Sequence, residues 1–107
     1  MIEYIGGISM EITMDRVGNE LTVALDGRLD TLTSPVLEER LQSSLAGVEK
    51  LIFDFEKLEY ISSAGLRVLL AAIHIMADQG TMVVRNVSEE VREVFDITGF
   101  IDDLNIE

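Results

Sequence analysis

The passage from residue 51 to residue 77 constrains the fold most, because it places two different apolar patterns back to back. Leu51–Phe55 is nearly continuous in apolar residues and rich in aromatics, which is typical of a short strand buried on both faces. Between residues 66 and 77 the apolar residues instead recur at helical spacing. Ser62 and Ser63 lie between the two patterns, and serine is a preferred cap for the start of a helix. The passage therefore predicts a buried strand, a connection and a long helix that one of these serines caps.

The segments on either side of this passage carry equally regular patterns. Apolar and polar residues alternate over Met10–Asp15 and again over Leu21–Asp26, with a turn at Val17-Gly18-Asn19 between them, which predicts a hairpin of two half-buried strands. Loops are predicted over 27–33 and 56–61. A helix is predicted that Ser34 caps, with Pro35 next, and that Gly47 ends. The long helix is predicted to end at Gly80. A strand over Thr81–Arg85 and a helix from Ser88 to Gly99 are predicted to follow, and then a short turn or strand.

Taken in order, these elements predict a single α/β domain over residues 1–107. A hairpin followed by alternating helices and strands favours a mixed β-sheet of four to five strands. The first two strands alternate cleanly and keep one face in water, so the helices are expected to pack mainly on one face of the sheet. Hydrophobic residues make up 48% of the chain and charged residues 26%, which is typical of a globular protein. Residues 1–9 have little periodicity and are predicted to form a loosely held leader with at most a short edge strand.

The charge balance narrows the class of partner. The chain has 20 acidic residues against 8 lysines and arginines, for a formal net charge of −12. Such a surface repels nucleic acid and anionic membranes and favours a basic partner. The longest apolar run, Val68–Ile73, is far shorter than the roughly 20 residues that cross a bilayer, and the N-terminus lacks the pattern of a signal peptide. A cytoplasmic protein is therefore expected, with no nucleic-acid binding and no direct membrane insertion.

Few residues of the chain could support catalysis. It has no cysteine, one histidine (His74) and no phosphate-binding glycine motif, so no metal or cofactor is expected. Ser63 and Gly65 supply the second half of the Gly-x-Ser-x-Gly elbow of serine hydrolases, but Ile61 replaces its first glycine. His74 would lie roughly 16 Å along the helix from Ser63, too far to take its proton, and Lys57 is conceivable as a base but nothing in the sequence requires it. We therefore predict that the protein is not an enzyme.

Two alternatives are open both for the serine junction and for the helix that follows it. A serine at a helix start ordinarily caps backbone N–H groups, but the same place suits a phosphoserine, because the helix dipole and the free N–H groups favour an anion. Asp30 and Asp54 are expected beside this serine if the strand ends converge.

The helix is apolar around most of its circumference. It is therefore either deeply packed or presents an apolar patch next to Ser63, with Arg67 and His74 at the rim.

Three motifs, in order along the chain, resemble one protein family. Residues 53–70 resemble the core motif of STAS domains, specifically of bacterial anti-sigma factor antagonists, and read Phe-Asp-Phe-x-x-Leu-x-Tyr-Ile-Ser-Ser-Ala-Gly-Leu-x-Val-Leu-Leu. Gly27–Asp30 resembles the exit of their second strand, and Asn86–Phe100 resembles their last helix. The resemblance runs from about Met10 to Ile106, which is nearly the whole chain.

The resemblance implies a mixed sheet covered by helices and a regulatory role rather than a catalytic one. Members of the family bind an anti-sigma factor that is also a serine kinase, and thereby release the sigma factor. The kinase phosphorylates a serine at this helix start, which inactivates the antagonist, and a metal-dependent serine phosphatase reverses the modification. An alternative under the same resemblance is an accessory subunit of a lipid or anion transport complex, which would not be phosphorylated.

The resemblance also implies which residues act. Aligning the common family motif, Asp-Ser-Ser/Thr-Gly, on Gly65 implies phosphorylation at Ser63, with Ser62 as the alternative. Ser62 then stands where the aspartate is usual, and Ala64 replaces the second hydroxyl residue. The implied partner-binding residues are Asp30, Ser62, Ser63, Ala64, Gly65, Arg67 and Val68.

Overall fold

The structure, a computed structural model, describes residues 2–4 and 10–107, with side chains from residue 10 onward. Its elements are β1 (Ile2–Tyr4), β2 (Met10–Val17), β3 (Glu20–Leu29), α1 (Ser34–Ser44), β4 (Lys50–Ile61), α2 (Ser63–Ala77), β5 (Thr81–Arg85), α3 (Glu89–Thr98) and a 3-10 helix (Phe100–Asp102). The described strands form one sheet in the order β1-β2-β3-β4-β5. The first three strands pair antiparallel, whereas β3–β4 and β4–β5 are parallel. The predicted mixed α/β fold and the hairpin are confirmed.

One hydrophobic core joins the inner face of the sheet to all three helices. Alternate residues of β3, beginning with Leu21 and Val23, point into this core and are at most 3% exposed. The central strand β4 contributes Phe53 and Phe55, and the ring of Phe95 in α3 lies 6.5 Å from that of Phe55. Burying a side chain of this size contributes about 2–3 kcal/mol. Because buried residues of α1, α2 and α3 belong to the same cluster, the helices cover one face of the sheet, as predicted.

The two ends of the chain extend the edges of the sheet. β1 pairs with β2, so the leader predicted over residues 1–9 contains an edge strand; its remaining residues lie outside the described part of the chain. At the other edge Ile106 forms a parallel bridge with Val84, and Arg85 Nε lies 2.7 Å from a carboxylate oxygen of Glu107. This hydrogen bond raises the pKa of Arg85 and lowers the pKa of Glu107. The predicted tail is thus a 3-10 helix followed by a short bridge.

The two central strands are longer than the sequence patterns indicated. The loop predicted over 56–61 is strand, and the loop predicted over 27–33 begins only after Leu29, so both predictions were wrong in these parts. Leu29 and Ile61 are register partners at the end of the parallel ladder. Two register shifts each add an extra residue to β4, so that buried Leu58 and Ile61 are separated by two exposed residues. Bulges of this kind interrupt the period-two alternation and make a strand resemble a loop.

The start of α1 differs from the prediction. Thr33, not Ser34, is the residue before the first turn, and Ser34 is itself helical, followed by Pro35. The backbone N–H of Ser34 donates to the carbonyl of Asp30 at 2.9 Å. Asp30 therefore closes the turn that leads into the helix, and the Ser34 hydroxyl does not serve as the cap.

The remaining helix ends follow ordinary capping rules. Ser88 caps α3 by accepting the N–H of Val91 at 3.2 Å, and Gly99 ends it in the left-handed conformation, both as predicted. α1 and α2 end at Ser44 and Ala77, so Gly47 and Gly80 belong to the turns that follow rather than to the helix ends. Within the described residues, no helix combines the length and the apolar character that a bilayer crossing requires.

Candidate functional site at the carboxyl ends of β3 and β4

Two adjacent parallel strands end side by side and place the candidate residues together. The backbone N–H of Ser62, directly after β4, donates to the carbonyl of Leu29 at the end of β3, at 2.9 Å. The turn into α1, which begins with Asp30, and the first turn of α2 therefore start next to each other. The carboxyl end of parallel strands is the usual location of binding sites in α/β folds. The sequence prediction that Asp30 lies beside the serine junction is consistent with this arrangement.

Ser62 is the cap of α2. Its backbone is extended, with φ −97° and ψ 176°, and its Oγ accepts the N–H of Gly65 at 3.4 Å. Its carbonyl accepts the N–H of Leu66 at 3.0 Å, which is the first bond of the helix. The side chain is half-buried. The Ser62 hydroxyl is therefore occupied in holding the start of the helix.

Ser63 is the first residue of α2 and is exposed. In the described part of the chain its hydroxyl forms no hydrogen bond, and Ala64 beside it is half-buried. Arg67, four residues further on, is also exposed. Residues four apart share a helix face, so Arg67 lies one turn from Ser63 on the same face of α2. Ser63 is thus a free hydroxyl at the positive end of the helix dipole with a cation one turn away.

Two residues of the implied partner surface lie in the interior instead. Val68 is 3% exposed in the core, so the expectation that its side chain contacts a partner is wrong. Gly65 is also buried: a Cβ there would lie 2.8 Å from Ile61 Cγ1 and 2.9 Å from Leu29 Cγ. The missing side chain lets α2 approach the strand ends closely. Gly65 therefore supports the serine junction from beneath rather than facing a partner.

The structure of the described residues shows no exposed apolar patch on α2 next to Ser63, which was one of the two alternatives for this helix. Val68 and Ala72 are buried, and Ala71 and Ile75 are half-buried, because the helix packs against β4 and β5 on one side and against α1 on another. Of the two alternatives for this helix, deep packing is the correct one. His74 is exposed, as expected of a surface residue.

Asp30 organises the turn between β3 and α1. One carboxylate oxygen accepts the N–H groups of Leu32 and Thr33 at 2.9 and 3.0 Å, and the Thr33 hydroxyl lies 3.2 Å away. Desolvation raises the pKa of Asp30, but the hydrogen bonds from Thr33 and Leu32 and the charge of Arg28 together outweigh it and hold the pKa below the ordinary value. Asp30 is therefore ionised and fixed in position at neutral pH.

Asp54 does not join this group, and the expectation that it lies beside Ser63 is wrong. It lies within β4, well before the end of the strand at Ile61. Its carboxylate accepts the N–H of Glu56 and the side-chain amide of Asn86, both at 3.0 Å. The reason is the unexpected length of β4, which carries the serine junction away from Asp54.

Asp30→Asn is expected to lower the free energy of unfolding by about 1 kcal/mol at pH 7, because an ionised acceptor binds N–H groups more strongly than a neutral one. The pKa of Asp30 in the folded protein lies below its ordinary value of 3.8. The stabilisation is therefore fully present above pH 3.8 and is lost as the pH falls from there through the folded-state pKa. Urea unfolding of both proteins at pH 7 and at about pH 2.5 checks it. A difference that persists undiminished at the lower pH would contradict the assigned role.

Three more residues lie at the same end of the sheet and were not identified as candidates from the sequence. The Arg28 guanidinium lies 4.2 Å from the centre of the Tyr60 ring, and the two residues are register partners in β3 and β4. Leu32, in the turn after β3, is 65% exposed. These residues fall in the two segments that were predicted to be loops. Extending the parallel pairing to the strand ends would have brought Arg28 and Tyr60 together.

Potential metal ligands and the candidate base Lys57 can be located in the described part of the chain. Among the described residues, no group of three or more His, Asp or Glu side chains is placed to hold a metal ion. Lys57 lines a shallow depression of about 380 Å³ with Asp26, Asp54 and Glu56 on the sheet face away from the helices, so it is not beside Ser63. What the site presents is an exposed hydroxyl at a helix start, a fixed carboxylate and exposed Arg67.

Comparison with known proteins places the chain in a family. The model of the STAS domain family matches residues 11–107. The chain is 38% identical over 94 residues to BtrV of Bordetella bronchiseptica, which is named as an anti-sigma factor antagonist, with 86% of this chain and 81% of that protein covered. It is 27% identical over 100 residues to the anti-sigma-B factor antagonist of Bacillus subtilis, with 92% of both chains covered.

The fold is also similar to that of the anti-sigma factor antagonist SpoIIAA of Bacillus. The TM-score to its unphosphorylated form is 0.79, at 21% identity over 90% of this chain and 87% of that chain. The TM-score to its phosphorylated form is 0.71, at 20% identity over 90% of each chain. Because the family model spans the chain from residue 11 to its last residue, and BtrV is a relative over most of that length, this protein belongs to the STAS domain family, together with anti-sigma factor antagonists.

Proposed function

We propose that this protein is a cytoplasmic anti-sigma factor antagonist that is switched off by phosphorylation of Ser63. In its unmodified form it binds an anti-sigma factor and thereby releases a sigma factor. The anti-sigma factor is itself the serine kinase, and a metal-dependent serine phosphatase restores the active form. The protein catalyses no reaction and needs no cofactor. The names of the relatives support the antagonist role, and the existence of SpoIIAA in two phosphorylation states supports the switch.

The observation that carries the proposal is that the hydroxyls of the two serines differ in hydrogen bonding and in exposure. The Ser62 hydroxyl accepts a backbone N–H, whereas the Ser63 hydroxyl is exposed and free of hydrogen bonds to described residues. A phosphate on Ser63 would meet the positive end of α2 and the side chain of Arg67, so the fold can accept it. The added charge of about −1.5 to −2 would instead act on whatever docks there. This favours Ser63 over Ser62 as the modified residue.

The partner surface we propose consists of the exposed and half-buried residues around the start of α2. It comprises Asp30, Ser63, Ala64 and Arg67, with Ser62 at its edge. Gly65 and Val68 contribute from beneath by setting the position of α2. The net charge of −12 suits a partner with a basic docking face, since opposite charges accelerate association and disfavour other partners.

The test combines sigma factor release with phosphate mapping. The protein is mixed with the complex of its cognate anti-sigma factor and sigma factor, and release of the sigma factor is followed by size-exclusion chromatography. We expect release in the absence of ATP, and loss of release with one phosphate on Ser63 after incubation with ATP. Ser63→Ala should release the sigma factor with or without ATP, because no charge can then be added.

The outcomes of this experiment separate the alternatives. A phosphate mapped to Ser62, or one that persists in Ser63→Ala, would overturn the assignment of the modified residue. Failure to bind the anti-sigma factor, together with stable co-purification with a transport ATPase or permease, would replace the proposal with the role of a transport accessory subunit.

A further inference from the structure

Three residues at the end of the sheet where α2 begins are not among the partner-binding residues that the family resemblance implies. Arg28 and Tyr60 are paired across β3 and β4, and the guanidinium covers the ring at 4.2 Å. Leu32 follows in the turn after β3 and is 65% exposed, and Tyr60 is 39% exposed. We call Arg28, Leu32 and Tyr60 the anchor patch. It lies at the end of the sheet at which Ser63 begins α2, with Arg28 and Tyr60 on the face away from the helices.

Contacts within the protein hold the backbone at Leu32 and the ring of Tyr60 in place. The N–H of Leu32 donates to the Asp30 carboxylate, and the hydroxyl of buried Thr33 donates to the Arg28 carbonyl at 2.8 Å, so the turn is bonded around Leu32. The Tyr60 ring is held by Arg28, a contact that contributes about 0.5–1 kcal/mol when exposed. Groups that are already ordered lose little conformational entropy on binding, so they are efficient contacts.

Location distinguishes the anchor patch from other exposed apolar side chains. Among the described residues, the large hydrophobic side chains that are exposed are Val17, Leu32, Tyr60 and Ile97. Val17 lies at the hairpin turn, at the opposite end of β3 from the switch, and Ile97 lies on α3. A single exposed apolar residue is ordinary, whereas Leu32 and Tyr60 are two at the same end of the sheet, the end that carries Ser63.

We propose that the anchor patch is the specificity-determining contact with the anti-sigma factor. This inference rests on the proposed function and names the surface by which the same partner is selected. Tyrosine and arginine are over-represented among the residues that dominate binding energies. The exposed acids Asp26 and Glu59 neighbour Arg28 and Tyr60 in their strands. The partner's matching surface is therefore an apolar socket bordered by basic side chains.

The test measures the affinity of variants for the purified cognate anti-sigma factor by isothermal titration calorimetry. Tyr60→Ala and Leu32→Ser are each expected to weaken binding about tenfold or more, because each removes an ordered apolar contact. Tyr60→Phe keeps the ring and should bind within about threefold of wild type. Val17→Ser and Ile97→Ser are the matched controls, since they remove exposed apolar side chains elsewhere, and both should bind like wild type.

The outcomes distinguish this inference from the function on which it rests. Reduced affinity in variants whose thermal unfolding matches that of wild type supports the anchor patch, and Leu32→Ser decides the question if Tyr60→Ala is unstable. Wild-type affinity in every variant would refute the anchor patch while leaving the proposed function intact. Failure of the wild-type protein to bind would remove both.

Discussion

Ser63→Asp is expected to weaken binding of the anti-sigma factor at least tenfold while slightly raising the free energy of unfolding. A carboxylate at the first position of α2 faces the positive end of the helix dipole, which contributes about 0.5 kcal/mol. Arg67, four residues later and exposed, adds an ion pair of about 0.3 kcal/mol. In the complex the same charge would lose its water, which costs binding energy. The two effects have opposite signs, which a misfolded variant cannot imitate.

Urea unfolding measures the first effect, and titration with the anti-sigma factor measures the second. Ser43→Asp is the matched control: it adds the same charge at an exposed serine of α1. Ser43 is near the hairpin end of the sheet, since the carbonyl of the next residue, Ser44, lies within hydrogen-bonding distance of Arg16. Binding of the control should stay within about twofold of wild type, the range of a remote charge. Equal losses in both variants would show that the effect is one of net charge rather than of position.

Gly80→Ala is expected to lower the free energy of unfolding by about 3 kcal/mol, the largest stability effect we predict. A Cβ at Gly80 would overlap the backbone carbonyl oxygen of Glu49 and lie 2.7 Å from its carbonyl carbon. That carbonyl cannot move freely, because it accepts the N–H of Thr81 at 3.0 Å. The N–H of Gly80 is also bonded, to the carbonyl of Met76 at 2.7 Å. The turn between α2 and β5 therefore has room for glycine alone.

Gly65→Ala provides a graded comparison for Gly80→Ala. The added methyl group would meet side-chain atoms of Ile61 and Leu29, which can shift, so we expect a smaller loss of about 1–2 kcal/mol. Urea unfolding of the two variants ranks the effects. Equal stabilities would contradict the distinction between a backbone obstacle and a side-chain obstacle.

The sequence predicted the order of elements well because the buried strands and helices have clear periods. The alternation in β2 and β3 and the helical spacing in α3 correspond to the buried and exposed sides of these elements. Ser88 and Gly99 act as the caps that their residue types favour. The junction at Ser62 and Ser63 was also located correctly from local preferences. These features depend on neighbours within a few residues, which a sequence pattern contains.

The features that were missed depend on contacts between distant parts of the chain. The two bulges in β4 disrupt its alternation, and only pairing with β3 shows that 56–61 is strand. The same pairing brings Arg28 to Tyr60 and moves Asp54 away from the serine junction. The burial of Val68 follows from the packing of α2 against both the sheet and α1. The composition of α2 allowed either a packed or an exposed helix, and tertiary contacts decide between them.

The parallel ladder of β3 and β4 continues to the partners Leu29 and Ile61, and Ser62, the residue before Ser63, is bonded to Leu29. Gly65 lets α2 lie tightly against both strand ends. Ser63 therefore begins a helix that is packed closely against two bonded strand ends. The phosphorylation that we propose at Ser63 would therefore add charge at one position, and we expect a partner to detect it by direct contact with that position.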